Sequence, residues 1–153
     1  MLLRGFGLSI DLPSRWEGVI VLPPNSGDGS TPYPILRAGN FVLPVGDGSF
    51  GENSIMAMDP TKALVVVVEY GPASAGTVLF TSGVWPPLVS LADLNPSAFS
   101  GTHPHGLAGH QNFVTVNGRA FCFYTVMGFD GRQAPLLKEV NAVLATVAIQ
   151  PDQ

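Results

Sequence analysis

The sequence predicts an α+β domain: a mainly antiparallel sheet of about six strands with a C-terminal helix packed on one face. Three observations carry that expectation. Short alternating or β-branched runs are separated by glycine and proline clusters. Two such runs flank Asn117-Gly118, a dipeptide suited to a type I′ hairpin because both positions tolerate positive φ. Only the C-terminal segment changes to a helical period.

The first strand is expected in "FGLSIDLP", where Phe6, Leu8, Ile10 and Leu12 alternate with Gly7, Ser9 and Asp11. A period of two places one set in a core and the other in water. Pro13 ends it, and "WEGVIVLPP" follows as its expected hairpin partner after the short "PSR". Asn25 to Pro34 is rich in Gly, Ser and Pro and reads as an exposed loop. "ILRAGNFVLP" is a further strand, with Gly39 marking a bulge or a close approach.

"ENSIMAMD" suits a short helix closed by Pro60. "ALVVVVEY" is apolar on both faces, as in a central strand covered on each side. "VLF" at Val78–Phe80 is read as a short strand. From Ser82 to Gln111 four prolines (Pro86, Pro87, Pro96, Pro104) and four glycines break any regular element, so a long ordered excursion is expected. The Asn117-Gly118 hairpin follows. Beyond Arg132, Leu136, Leu137, Val140, Val143, Leu144 and Val147 recur at spacings of three and four, the stripe of an amphipathic helix.

At 153 residues the chain is expected to form a single domain spanning 1–153, long enough to bury a real core. Charged residues are 12% of it, about half the usual ~25%. So little charge leaves much of the surface neutral or apolar, which favours a protein partner or self-association. The net charge is −4, and no two of the seven basic residues are adjacent. Nucleic-acid binding needs clustered cations, so that class is excluded. No apolar run approaches the ~20 residues of a membrane span, and the N-terminus lacks a signal-peptide core, so a soluble, cytoplasmic protein is expected. Cys122, alone between Phe121 and Phe123, rules out an intrachain disulfide and reads as a buried, inert thiol.

Two motifs suggest chemistry. Gly46, Gly48 and Gly51 spell G-x-G-x-x-G, with Glu69 placed downstream where a dinucleotide fold would want a ribose-binding acid. That motif works when a strand, the loop, a long crossover helix and a parallel strand follow in order. Here Pro44 interrupts the strand, and the eleven residues between Gly51 and Ala63 include Asp59-Pro60. Asp47 and Glu52 also put negative charge where a pyrophosphate would sit. A loop leading into a short helix is the better reading, and no cofactor is expected.

The second motif is "THPHGLAGH", which holds all three histidines, His103, His105 and His110. Imidazoles at i and i+2, with a third after a loop, form a candidate metal site. No cysteine accompanies them, and Asp93 and Asp130 are distant in sequence. The competing reading is a polar loop leading into the hairpin. Nothing else selects a catalytic set: there is no G-x-S-x-G turn and no phosphate loop of the G-x-x-x-x-G-K-[ST] type.

Taken together, "GFGLSIDLPSRWEG", "VVVVEYG", "FVTVNGRAFCFYTVMG" and "LLKEVNAVLATVAI" resemble small bacterial proteins of the PsbP-like superfamily. That superfamily includes the photosystem II extrinsic subunit and a nuclear-import factor that binds a small GTPase. Leu12-Pro13-x-x-Trp16 between two strands, and the final hairpin and helix, carry most of the match. The resemblance implies an antiparallel sheet flanked by helices, a PsbP-like sandwich, and a binding or accessory role without catalysis. No family site residue carries over. The expected function is therefore a non-catalytic binding or accessory module, the alternative being a metal-binding protein or metal-dependent enzyme using His103, His105 and His110.

Overall fold

The computed structural model describes residues 1–24, 27, 31–99 and 102–151. Among them, eight strands and two α-helices form an α+β fold in which every strand pairing is antiparallel. In chain order these are β1 (Leu2–Gly5), β2 (Leu8–Asp11), β3 (Glu17–Val21), β4 (Ile35–Gly39), α1 (Glu52–Met56), β5 (Ala63–Tyr70), β6 (Leu107–Val116), β7 (Arg119–Gly128), α2 (Ala134–Leu144) and β8 (Ala148–Ile149). A five-stranded sheet runs β3-β4-β5-β7-β6, and a smaller one runs β1-β2-β8.

The main sheet is covered on both faces, and β5 shows why its sequence has no alternation. Ala63, Val65 and Val67 join Phe121 and Phe123 of β7, Val140, Val143 and Leu144 of α2, and Leu8 and Ile10 of β2. Leu64, Val66 and Val68 point the other way, into a second cluster with Ile55 of α1 and Cys122, Tyr124 and Val126 of β7. A strand buried on both sides has no solvent face to mark with polar residues. The C-terminal helix lies where its stripe predicts, with Val140, Val143 and Leu144 buried.

The β6–β7 hairpin turns at Asn117 and Gly118, with φ of 52° and 77°, as the dipeptide predicts. A second two-residue turn was hidden in the opening segment. Phe6 and Gly7 adopt φ of 53° and 78° and fold β1 back on β2. What reads as one alternating strand is thus a turn followed by a strand. Leu8, Ile10 and Leu12 are buried as their alternation predicts, but Phe6 caps the turn in solvent.

This corrects the expected pairing of the first strand with "WEGVIV". Strand β2 pairs with β1 and β8, whereas β3 pairs with β4 in the main sheet. The Pro13–Trp16 turn, closed by the Trp16 N–H to the Pro13 carbonyl at 3.0 Å, redirects the chain from one sheet to the other. Two of the strands, β1 and β8, lay outside the expected set; β8 has only two residues and no period to read.

Val78–Phe80 is not a strand. Leu79–Thr81 forms a 3-10 turn whose Phe80 is buried against Tyr70 and Phe113, at centroid distances of 5.0 and 5.6 Å. The excursion after β5 shields the outer edge of β6 at Gly83 and Asn95. The Gly83 N–H donates to the Phe113 carbonyl (2.9 Å), and Asn95 bridges Gly109 in both directions (2.9 and 3.0 Å). Covering an edge strand this way removes a template for aggregation.

Cys122 is fully buried, and burial pushes its thiol up to about 12. At pH 8 a thiol of that kind is thiolate to about one part in 10⁴, against about a quarter for an unfolded cysteine. Maleimide labelling is therefore expected to run at least ~1,000-fold slower in the native protein than in denaturant. Native labelling at the denatured rate would contradict this burial.

Candidate binding surfaces

The glycine loop holds an anion of its own. The Asp47 carboxylate accepts the N–H groups of Gly48 (2.8 Å) and Asn53 (2.7 Å) through one oxygen. Its other oxygen accepts the Ser54 N–H (3.1 Å) and the Ser54 hydroxyl. The donors a phosphate would need at the start of α1 are thus turned onto Asp47, a capping arrangement with the favourable sign for a helix N-terminus. Gly51, at φ 73°, gives the left-handed step into the helix. Strands β4 and β5, on either side of the loop, are antiparallel, so the parallel crossover of a dinucleotide fold is missing as well.

Glu69 is also committed elsewhere. It forms a two-point pair with Arg119, from Nε at 3.0 Å and from Nη2 at 2.6 Å, with both side chains under a tenth exposed. Arg119 further donates to the carbonyls of Phe6 (2.9 Å) and Gln150 (3.0 Å). Asn117 donates to the Ile149 carbonyl at 2.7 Å. The end of the β6–β7 hairpin therefore clamps both the first turn and the last strand.

The three histidines are not brought together. His110 lies within β6 opposite Thr125, because that strand begins at Leu107 and not at Gln111. His103 stacks on Phe99, with ring centroids 4.1 Å apart and planes 22° apart. It lines a cavity with Gln111 and Tyr124. Successive strand residues face opposite ways, so His110 projects from the other face of the sheet. His105 is exposed in the loop between them. Among the described residues, no group of three or more His, Cys, Asp or Glu side chains is placed to hold a metal ion.

The cavity beside His103 was not legible in the sequence. It measures about 380 Å³ and lies between α1, residues Ala98, Phe99, Thr102 and His103, and strands β6 and β7. Phe50 meets Tyr124 edge-on at 6.0 Å, and the Phe99–His103 stack forms another wall. Burial raises the Tyr124 phenol above the ordinary tyrosine value, with smaller contributions from Cys122 and Glu52, so it remains protonated at neutral pH. A larger cleft of about 550 Å³ at the start of α2 is polar. There Arg132 pairs with Asp130 at 2.8 Å, and Glu139 accepts the Trp16 indole N–H at 2.7 Å.

An apolar ledge wraps the edge of β6, from Phe80 beside Phe113 round to Val89 beside α2. From Gly71 to Ala92 the chain has no Asp, Glu, Lys, Arg or His. Val78, Leu79, Val84, Trp85, Leu88 and Leu91 are all exposed. Two asparagines hold the segment as a neighbouring strand would. Asn112 takes the Val84 N–H and returns a bond to its carbonyl (3.0 and 2.9 Å), and Asn141 of α2 does the same at Val89 (2.8 and 2.7 Å). Trp85 keeps an edge contact with Phe123 at 5.8 Å. No described helix is long and apolar enough to cross a membrane. Comparison with family models, curated proteins and solved structures gave no match.

Proposed function

We propose that the chain is a non-catalytic binding or accessory module of PsbP-like architecture that works by self-association through the ledge. The observation carrying this reading is a fixed, exposed apolar surface with no charge, in a chain of net charge −4. Two copies of a negatively charged protein meet most easily where neither carries charge, and a two-fold contact matches a patch to itself. Because the asparagine clamps already order the backbone, little conformational entropy is lost when the patch is covered. The PsbP-like part of the reading is supported by the Leu-Pro-x-x-Trp segment between strands and by the final hairpin and helix.

Light scattering on a sizing column tests it. The wild-type chain is expected at twice its 16.1 kDa mass, and Val84→Asp/Leu88→Asp at the mass of one chain. Both positions are exposed, so the variant should fold. A monomeric wild type, or a variant as dimeric as wild type, overturns the reading.

A further inference from the structure

We propose that the cavity between α1 and the Phe99–His103 stack is a binding site for a small organic amine carrying a flat apolar body. This does not depend on the ledge, whose Trp85 and Val89 pack on the α2 face of the main sheet, away from Tyr124. The first support is shape and lining: about 380 Å³, within the ordinary range for small-ligand sites, walled by Phe50, Phe99 and Tyr124. Such walls accept a ring edge-on or stacked, and their π faces favour a cation over an anion.

The second support is a polar group that no protein group occupies. Tyr124 is only 5% exposed, yet among the described residues its hydroxyl makes no hydrogen bond. Among the described residues no fully buried side-chain oxygen or nitrogen lacks a partner, so this hydroxyl is not sealed off, and the cavity is the open space that Tyr124 lines. A tyrosine buried up to its hydroxyl ordinarily finds a partner there, and in this cavity water or a bound molecule supplies it.

The third support is charge. Among the described residues, Glu52 is the only carboxylate lining the cavity, and no lysine or arginine lines it. An ammonium group gains a charge-assisted bond to Glu52 and offers a second proton to the Tyr124 oxygen. A carboxylate or phosphate would face Glu52, and the one lining group able to offset it, the His103 imidazole, has a ring face covered by Phe99.

Three probes of one shape separate the possibilities: 2-phenylethylamine, 2-phenylethanol and phenylacetate, titrated into the ¹⁵N-labelled full chain. The amine is expected to bind with a Kd of about 1 mM or tighter, shifting amides in residues 50–56 and 98–103. It should bind about tenfold or more tightly than phenylacetate. Glu52→Gln should bring the amine to the level of the alcohol, and Tyr124→Phe should weaken both the amine and the alcohol. Glu52 is exposed and Tyr124→Phe keeps the ring, so both variants should retain wild-type spectral dispersion. Absence of saturable shifts, equal binding of phenylacetate, or an amine preference that survives Glu52→Gln overturns the proposal. The ledge variant Val84→Asp/Leu88→Asp should bind the amine as wild type does, so the two readings fail separately.

Discussion

Replacing Arg119 with methionine is expected to cost about 3–5 kcal/mol of folding stability, because it strands a carboxylate where water cannot solvate it. Glu69 lies at 6% side-chain exposure, and Arg119 is the cation bonded to both its oxygens. For a chain of this size the loss corresponds to a melting point lower by about 6–20 °C. The same change removes the donors to Phe6 and Gln150, so the small sheet should loosen before the large one. Hydrogen exchange would report this as early loss of protection in β1, β2 and β8. The double replacement Arg119→Met/Glu69→Met separates charge from packing. Removing both members of a buried pair often costs little, so the double variant should recover most of the loss. If it proves no more stable than Arg119→Met alone, the stranded charge is not the cause, and the bonds to Phe6 and Gln150 carry the clamp.

The elements legible in the sequence are those whose cause is local. Asn117-Gly118 turns because of its own backbone preferences, and α2 forms where its stripe meets the sheet. The doubly covered β5 could be read because burial on both sides leaves its mark on every residue. What escaped depends on distant partners. Phe6-Gly7 sits inside an unbroken alternation, so the turn had no signal beyond a single glycine. Arg119 and Glu69 are 50 residues apart, and the spacing of Glu69 from the glycines suggests a ribose-binding acid and not an ion pair. The G-x-G-x-x-G spacing was read as a short-helix loop, but that Asp47 is the anion it binds emerges only from the hydrogen bonds. Of the aromatic cavity, the sequence marks His103 and Glu52, each for a different chemistry. Phe50, Phe99 and Tyr124 come from three separate segments, and no spacing could have gathered them.

Gly128→Ala is expected to cost about 3 kcal/mol, lowering the melting point by about 6–12 °C, and the reason is space rather than backbone angle. Gly128 ends β7 where the chain between α1 and β5 crosses it, with its N–H donating to the Lys62 carbonyl at 3.0 Å. A Cβ placed there would lie 1.7 Å from the Pro60 carbonyl oxygen and 2.5 Å from its carbon. Those atoms are backbone, so no side-chain rotation relieves the overlap. Either β7 or the Pro60–Lys62 crossing must shift, and both are pinned by β5. Gly118 is the control with the opposite character. Its φ is +77°, and nothing lies within 4 Å of a Cβ built on it. Alanine there suffers only the left-handed backbone penalty, about 1–2 kcal/mol. Urea unfolding of the two alanine variants should therefore rank Gly128→Ala as the more damaging. The reverse order would mean that the crossing yields cheaply, and that the hairpin turn, not the contact at Pro60, fixes where β7 ends.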